Sequence, residues 1–593
     1  MDKKRVNSSS GARIEVHIAA KAVSRGVAIG PLICLHGQHR QFYRIELTEA
    51  KIAAELRRLK KGLSTAEKQL DRLVSNGGNA GPAIFDVHRM ILADDTFRTR
   101  IETQIKEERV NAEWAVKVVI DDYVNKYKAI PDEHLRSRYI DIEDIGDRLL
   151  AALGVGASSR LRFARDSILV ARELKPSTLY ELNDHRPAAI ITETGGWTSH
   201  TFILARELGI PAVTGAKKIL RQVNTGDRAI VDGFSGGVVV NPTRETLKRF
   251  SAAVKEFRAV GRDPHQASTT PLKTLDGREI AIYVNSEHDT TFQKAMDLGV
   301  SGVGLYRSES LFNRYKGFPS EREQFEAYRR MAELAGDKIL NIRLFDVGVE
   351  QLLDHNKGVE KNPALGLRAI RLALTQGKTL NTQLRSILQA SSDHNIGIVL
   401  PMISDISEIE AVQNKLKRES TRLKNSGKTF GAPSLGIMIE TPAAVMIIKE
   451  LLEKVDFVCI GTNDLVQYLL AVDRDNESVS TWFRTLHPAV LRSLRVVIEA
   501  AAAAGKPAVV CGEMAGSPFY VPVLIGLGAT RLSMNVNSIP VVASLINGIA
   551  YQEAADLIAK IDKESSSEKI EDIIYHQIET VWPHLYPPQF LHR

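Results

Sequence analysis

The sequence predicts an α/β chain in which a C-terminal (β/α)8 TIM barrel is preceded by a mixed α/β domain carrying an inserted helical bundle. Three observations predict it. Eight apolar β-rich runs recur between residues 280 and 536, each followed by a helical pattern. Apolar residues step by alternating four and three from Ile52 to Leu73, as on one face of a long packed helix. β-rich segments flank that helical stretch on both sides. At 593 residues the chain is several times one domain's length, so more than one core is expected.

Taken in order, residues 16–36 read as short β segments broken by Gly26 and Gly30. The seam Ile52, Leu56, Leu59, Leu63, Ala66, Leu70 and Leu73 opens a helical block, and amphipathic stretches follow at about 83–108, 111–130 and 136–153. From Ser167 the pattern returns to strands (SILVAR, AAIITE, RAIVDG, GGVVVNPT). The helices at 47–153 thus read as an insertion into one domain made of 16–46 and 154–259, after a frayed leader at 1–15. The polar stretch 260–273 lacks periodicity and reads as a linker. The barrel is expected at 274–575, before a C-terminal tail at 576–593. Its strands are IAIYVN, GVGLYR, NIRLFDVG, IGIVLPMIS, LGIMIET, FVCIGTND, AVVCGEM and RLSMNV, near-continuous apolar runs that suit a parallel sheet covered on both faces.

Composition excludes several classes. With 44% hydrophobic and 25% charged residues the chain falls in the ordinary globular range, and no apolar run approaches the ~20 residues a membrane helix needs. The basic N-terminus MDKKRVNSSSGARIEV lacks the apolar centre of a secretory signal, so a cytoplasmic location is expected. Cys34, Cys459 and Cys511 are too few and too scattered for a disulfide framework or a zinc site, and of the three Cys511 is the candidate for a chemical role. The net charge of +7 is spread over 78 basic and 71 acidic residues without a basic run, which argues against nucleic acid.

Polar residues gather where barrel strands end: Arg307 and Glu309, Arg343 and Asp346, Glu440, Asn463 and Asp464, Cys511 and Glu513. The strands of such a barrel aim these ends at one mouth, so residues far apart in sequence converge. Any one of them alone is equally a solvated loop start. Glu440 and Asp464 lie at the ends of neighbouring strands, where both carboxylates can reach one hard cation such as Mg²⁺. Arg307, Arg343, Arg474 and Arg368 offer guanidinium forks for a small ligand carrying phosphate and carboxylate.

In the first domain, ETGGWTSHTFILARELGIPAV follows a strand, turns through Gly195 and Gly196, and enters a helix near His200. A helix start with Thr198 and Ser199 hydroxyls is an anion site, and its dipole disfavours imidazolium, leaving a nucleophilic ring. Local physics alone favours a simpler N-cap cluster with an incidental histidine.

GGWTSHTFILARELGIPAV, LGIMIETPAA, GTNDLVQYLLAVDR and VCGEMAG together resemble the phosphoenolpyruvate–protein phosphotransferase family, enzyme I of the sugar phosphotransferase system. The resemblance runs from GVAIG through HRMILADDTF and YIDIEDIGDRLL to the last barrel strand. It implies that His200 is phosphorylated by phosphoenolpyruvate and passes the group to a small phosphocarrier protein, HPr. It further implies that Arg307 and Arg343 bind the phosphate, Glu440 and Asp464 hold Mg²⁺, Asn463 and Arg474 contact substrate, and Cys511 donates the proton that makes pyruvate. From its residues alone Cys511 reads as an inert buried thiol. The resemblance also implies a swivelling phosphohistidine domain, a carrier-binding helical insertion and a barrel that forms a homodimer.

Some positions depart from the family pattern. GVEQ at 348–351 stands in place of GGDK, Trp197 in place of an arginine, and RSESLF at 307–312 in place of RTEFLF. The acidic surface expected to meet HPr is thinner, with Asp86, Asp94 and Asp95. Competing readings are a regulatory or scaffold homologue, a barrel lyase acting on phosphoenolpyruvate, and a pyruvate phosphate dikinase or phosphoenolpyruvate synthase. The last would need a nucleotide-binding domain, and no glycine-rich nucleotide loop precedes the histidine motif.

Overall fold

The computed structural model describes residues 14–24, 26–35, 43–76, 88–89, 91–129, 139–154, 166–174, 178, 187–195, 201–202, 205, 209–233, 236–248, 250–251, 272–287, 289–315, 317–352, 360–474 and 476–586. The chain divides into two compact units, Met1–Val254 and Lys255–Arg593.

The first unit is built on a sheet of strands β1 (Val16–Ala19), β2 (Lys21–Ser24), β3 (Val27–Leu35), β4 (Ile168–Ala171), β5 (Ala189–Thr192), β6 (Ala212–Thr214), β7 (Arg228–Asp232) and β8 (Gly237–Val240), in the order β1-β8-β7-β3-β4-β5-β6-β2. β3 joins its two halves: Val27–Pro31 pairs antiparallel with β7, and Leu32–Leu35 pairs parallel with β4. Gly26, at φ +130°, does break the run. Gly30, expected from the sequence to break it too, does not, and the strand passes through it. A side chain there would put its Cβ 1.7 Å from the Asp166 carbonyl oxygen, so the glycine serves close backbone approach rather than a turn.

Between the neighbouring strands β3 and β4 the chain inserts helices Glu49–Asn76, Asp95–Glu107, Ala112–Lys128 and Tyr139–Ala152. The predicted seam is real from Ile52 to Leu70: Leu59, Leu63, Ala66 and Leu70 are buried, while Ile52 and Leu56 are partly covered; the Leu73 side chain lies outside the described residues. These side chains share a core with Ala171, Ile190, Phe202 and Ala212, so the helices pack on one face of the sheet. Its other face is closed by Ala28, Leu32, Val170, Ile191, Val213 and Val231. Asp94 caps the second helix by accepting from Phe97 N at 2.7 Å. The Arg58 guanidinium pairs with Glu113 and Glu55 and donates to the Leu153 carbonyl, tying the first, third and fourth helices.

The second unit holds β9 (Leu272–Lys273), β10 (Glu279–Ser286), β11 (Gly302–Arg307), β12 (Ile339–Arg343), β13 (Ile396–Leu400), β14 (Ser434–Ile439), β15 (Phe457–Ile460), β16 (Ala508–Val510) and β17 (Arg531–Met534). β10 to β17 are parallel in sequence order, and β10 pairs with both β11 and β17, which closes the barrel. Packing inside depends on large residues facing small ones. Phe457 fills the space over Gly397 and Gly436, where a Cβ would stand 2.9 and 2.5 Å from its ring. Met438, Cys459, Val509, Leu305 and Val399 lie in the same cluster.

Several edges differ from the sequence reading. Leu272 and Lys273, read as linker, pair antiparallel with β10 at Ile280 and Glu279. Residues 576–586, read as tail, are packed: helix Ser567–Thr580 runs into them, and Trp582 and Tyr586 sit in the barrel's core cluster. Trp582 Nε1 donates to Glu553 at 2.8 Å, and the Tyr586 hydroxyl donates to the Pro518 carbonyl at 2.9 Å. The stripe Ile570, Ile574 and Ile578 carries the helix into this segment, and beyond Thr580 two aromatic anchors rather than a stripe hold it. Trp582→Ala is expected to destabilise the barrel by about 3–5 kcal/mol; an unchanged urea midpoint for loss of barrel structure would contradict that packing.

Candidate functional site

The sequence-predicted residues of the second unit converge at the C-terminal end of its strands. Arg307 and Arg343 end β11 and β12 and stand directly opposite each other in register. Glu440 follows β14, Asn463 and Asp464 open the helix Thr462–Leu470 after β15, and Cys511 follows β16. His200 lies outside the described residues, as do Trp197, Thr198 and Ser199.

Arg343 is held by two carboxylates. Its Nη2 is 3.1 Å from Glu309 Oε2, and its Nη1 is 3.5 Å from Asp346 Oδ2. Burial alone would favour the neutral base, but Glu309 and Asp346, with Glu440 further off, keep the guanidinium firmly charged. Its Nε is buried and has no hydrogen-bond partner among the described residues, a donor left for something else. Asp346 also accepts from Arg368 Nε and Nη2 at 3.0 and 2.9 Å. Burial pushes this carboxyl up, yet Arg343 and Arg368 outweigh it and hold it below the ordinary range. A hidden polar network supports the strand end: Ser308 Oγ donates to the Arg343 carbonyl at 2.7 Å, and Gln383 Nε2 donates to Ser308 Oγ and to the Tyr328 hydroxyl.

Arg307 is more open and pairs with Glu287 at 3.1 Å. Arg474 approaches Asp464 at 3.6 Å, and its backbone N–H donates to Gln467 at 3.2 Å. Asn463 Oδ1 accepts from the Glu513 N–H at 3.2 Å, which joins the ends of β15 and β16.

Glu440 is in the opposite situation. It is 1% exposed and accepts the Met402 N–H at 2.6 Å. Burial, then the negative charges of Asp464 and Asp346, push its carboxyl up to about 8. Gly461 leaves room for it, since a Cβ there would lie 3.0 Å from Glu440 Oε2. Backbone strain collects around the same mouth. Met402 (φ +59°), Ala369 (φ +51°) and Ala471 (φ +52°) are left-handed without being glycine, and they adjoin the Glu440, Arg368 and Arg474 contacts.

Cys511 is 2% exposed, with its Sγ 3.8 Å from the Gly304 carbonyl and 3.5 Å from that of Val509. Asn285 Nδ2 fixes its backbone by donating to the Cys511 carbonyl at 2.8 Å and the Ser533 carbonyl at 3.3 Å. Sequence reading missed Asn285, Gln383 and the Glu309 and Asp346 pairings with Arg343. The last two carboxylates were visible as strand-end residues, but their partners depend on loop geometry.

Comparison with known proteins supplies the family. Residues 262–551 match the family described as PEP-utilising enzyme, PEP-binding domain, 19–138 its N-terminal domain, and 163–236 its mobile domain. The phosphoenolpyruvate-protein phosphotransferase of Haemophilus influenzae is 35% identical over 567 residues, covering 94% of this chain and 98% of that protein. The chain belongs to the phosphoenolpyruvate-protein phosphotransferase family. The family members of Listeria monocytogenes and Staphylococcus aureus are each 33% identical, over 93% and 94% of this chain and 98% and 99% of their own lengths. Within this family member, the GVEQ departure lies in a segment anchored by an isolated bridge between Gly348 and Arg368 and by Val349 N donating to the Leu367 carbonyl at 3.1 Å.

Two outcomes test this electrostatic arrangement. Asp346→Ala removes one of the two carboxylates on Arg343 and the acceptor of Arg368 Nε and Nη2, and should cost about 3–5 kcal/mol of barrel stability, read by urea unfolding. In protein stripped of cations, Glu440 retains its proton to about 8 when folded but loses it near 4.5 when unfolded. The folded state then binds more protons across that window, so stability falls as pH rises through it. Glu440→Gln should flatten that slope; an equal slope in both proteins would mean that Glu440 is not a source of it.

Proposed function

We propose that this enzyme takes the phosphoryl group of phosphoenolpyruvate onto His200 and passes it to a histidine of an HPr-like phosphocarrier protein. The observation that carries the reading is the in-register pair Arg307 and Arg343 beside the carboxylates Glu440 and Asp464. The forked guanidinium of Arg343, fixed from behind by Glu309 and Asp346, keeps an unpartnered Nε for an anionic oxygen. Arg307 takes a second phosphate oxygen, while Asn463 and Arg474 orient the small acid.

The residues present fit Mg²⁺. A carboxyl forced towards its neutral form by burial and then by the neighbouring negative charges of Asp464 and Asp346 is a ligand waiting for a cation. Among the described residues no group of three or more His, Cys, Asp and Glu is assembled, and Mg²⁺ needs only one or two carboxylates, with substrate oxygens and water as the rest. Glu440 and Asp464 would hold it. When bound, Mg²⁺ neutralises charge on the phosphate and on the departing enolate.

In the proposed reaction the phosphorus–oxygen bond of phosphoenolpyruvate breaks as a phosphorus–nitrogen bond forms at His200, and Arg307 and Arg343 hold the transferring group in line. The oxygen leaves as an enolate. Cys511 gives its S–H proton to the enolate's methylene carbon, which completes pyruvate, and the thiolate is reprotonated from water. The His200-bearing part of the chain, matched to the mobile domain, alternates between the barrel mouth and the carrier. The inserted helices, within the match to the N-terminal domain, are the proposed carrier-binding surface. On this reading the enzyme works in the cytoplasm as a homodimer joined through its barrel. Among the described residues no helix is long and apolar enough to cross a membrane.

Purified enzyme mixed with radiolabelled phosphoenolpyruvate and Mg²⁺ should acquire an acid-labile label that His200→Ala abolishes and that added HPr removes. Arg343→Ala should slow labelling by about 10²–10³-fold. No label on the wild-type protein would favour a regulatory homologue, and a label that never leaves would overturn transfer to a carrier.

A further inference from the structure

A second thiol stands beside the proposed proton donor. Cys459, on β15, is fully buried, and its Sγ lies 3.8 Å from the Gly304 carbonyl, the same oxygen and the same distance as for Cys511. On the neighbouring strands Cys459 stands in register with Val509, two positions before Cys511, so the two thiols converge on that one oxygen. Leu305, Val399, Met438 and Val509 surround them, with Tyr283 packed against the group.

That setting poses a chemical problem. Once Cys511 has given up its proton, a thiolate is left in an apolar layer, facing the carbonyl oxygens of Gly304 and Val509, which can only repel it. A nearby S–H is the available donor. We infer that Cys459 is a positioning residue for the proton transfer: its S–H turns from the Gly304 carbonyl to the Cys511 sulfur as the Cys511 S–H bond breaks. The electron pair of that bond stays on Cys511, the proton forms the new C–H bond of pyruvate, and Cys459 keeps its own proton throughout. The nearby Cys511 thiol, followed by burial, holds the Cys459 thiol well above its ordinary range, which suits a group that donates without ionising.

The inference rests on Cys511 being the proton donor, and the test separates the two. Cys459→Ala and Cys459→Val remove the donor, whereas Cys459→Ser keeps one of similar size. With saturating phosphoenolpyruvate, HPr and Mg²⁺, steady-state pyruvate formation and deuterium incorporation into its methyl group in D₂O are followed by NMR. Alanine and valine should lower kcat for both at least about tenfold with KM unchanged, while serine stays within about threefold of wild type. Cys511→Ala serves as the reference and should be slower still. Three Cys459 variants at wild-type rates beside an impaired Cys511→Ala overturn the role of Cys459 alone. Serine as slow as alanine overturns it too, since the effect is then packing. A Cys511→Ala protein with wild-type pyruvate formation overturns the underlying reading as well. Thermal unfolding confirms that each variant is folded.

Discussion

The barrel mouth depends on a chain of buried charge, Glu309 to Arg343 to Asp346 to Arg368. Arg343 has 12% and Asp346 only 4% of its side chain exposed, so neither charge is compensated by water. Their Coulombic attraction is strong in this low-dielectric setting only because each has its partner, and loss of one leaves the others exposed to the full desolvation penalty. The chain spans β12, the helix after β11 and the segment around Arg368, so it also fixes the loops that frame the site. The guanidinium groups are thereby oriented before any ligand arrives, which spares the reorganisation a flexible side chain would need.

Glu440 and Asp464 complete the polarity of the site. The arginine side is already neutralised by its own carboxylates, whereas Glu440 faces two further negative charges and a single backbone N–H. The two halves therefore ask for different things: one presents an unfilled donor, while in the other Arg474 and Arg343 do not offset the negative charge that pushes Glu440 towards its neutral form. A cation and a small polyanion bound together satisfy both, and on the proposed function this is how phosphoenolpyruvate is recognised. Backbone strain at Met402 and Ala369 is maintained in the same places, where the surrounding packing over-determines it.

Much of this was legible in the sequence, for reasons tied to particular residues. Parallel strands covered on both faces must be apolar throughout, so GVGLYR was found at its full length, Gly302–Arg307. The runs IGIVLPMIS and AVVCGEM extend past their strands, and NIRLFDVG both starts two residues after its strand begins at Ile339 and extends past it, because apolar residues such as Leu344 and Met402 continue beyond the ladder into buried loops. Arg307, Arg343 and Glu440 were visible because a charge ending an apolar run is conspicuous. Cys459 was passed over for the opposite reason. A cysteine within an apolar strand looks like any small core residue, and its approach to the Gly304 carbonyl shared with Cys511 depends on strand pairing that sequence spacing does not show. The anchoring of Trp582 and Tyr586 was hidden in the same way, since single aromatic contacts leave no period to detect.

The strand periodicity links the barrel's core to its chemistry. Side chains on one strand face inward at every second position, so Met438 carries Glu440 one layer above itself, Val509 carries Cys511, and Tyr283 carries Asn285. The apolar layer sets the height and direction of the polar one. Phe457 can fill that lower layer only because Gly397 and Gly436 are bare, and Glu440 can occupy the upper one only because Gly461 is bare. Changes in loops leave this stacking untouched, which explains how the GVEQ segment can diverge while Arg343, Arg368 and Glu440 keep their places. The Gly348–Arg368 bridge uses backbone atoms, so replacing side chains at Val349 and Gln351 alters what the loop presents without moving the residues it holds.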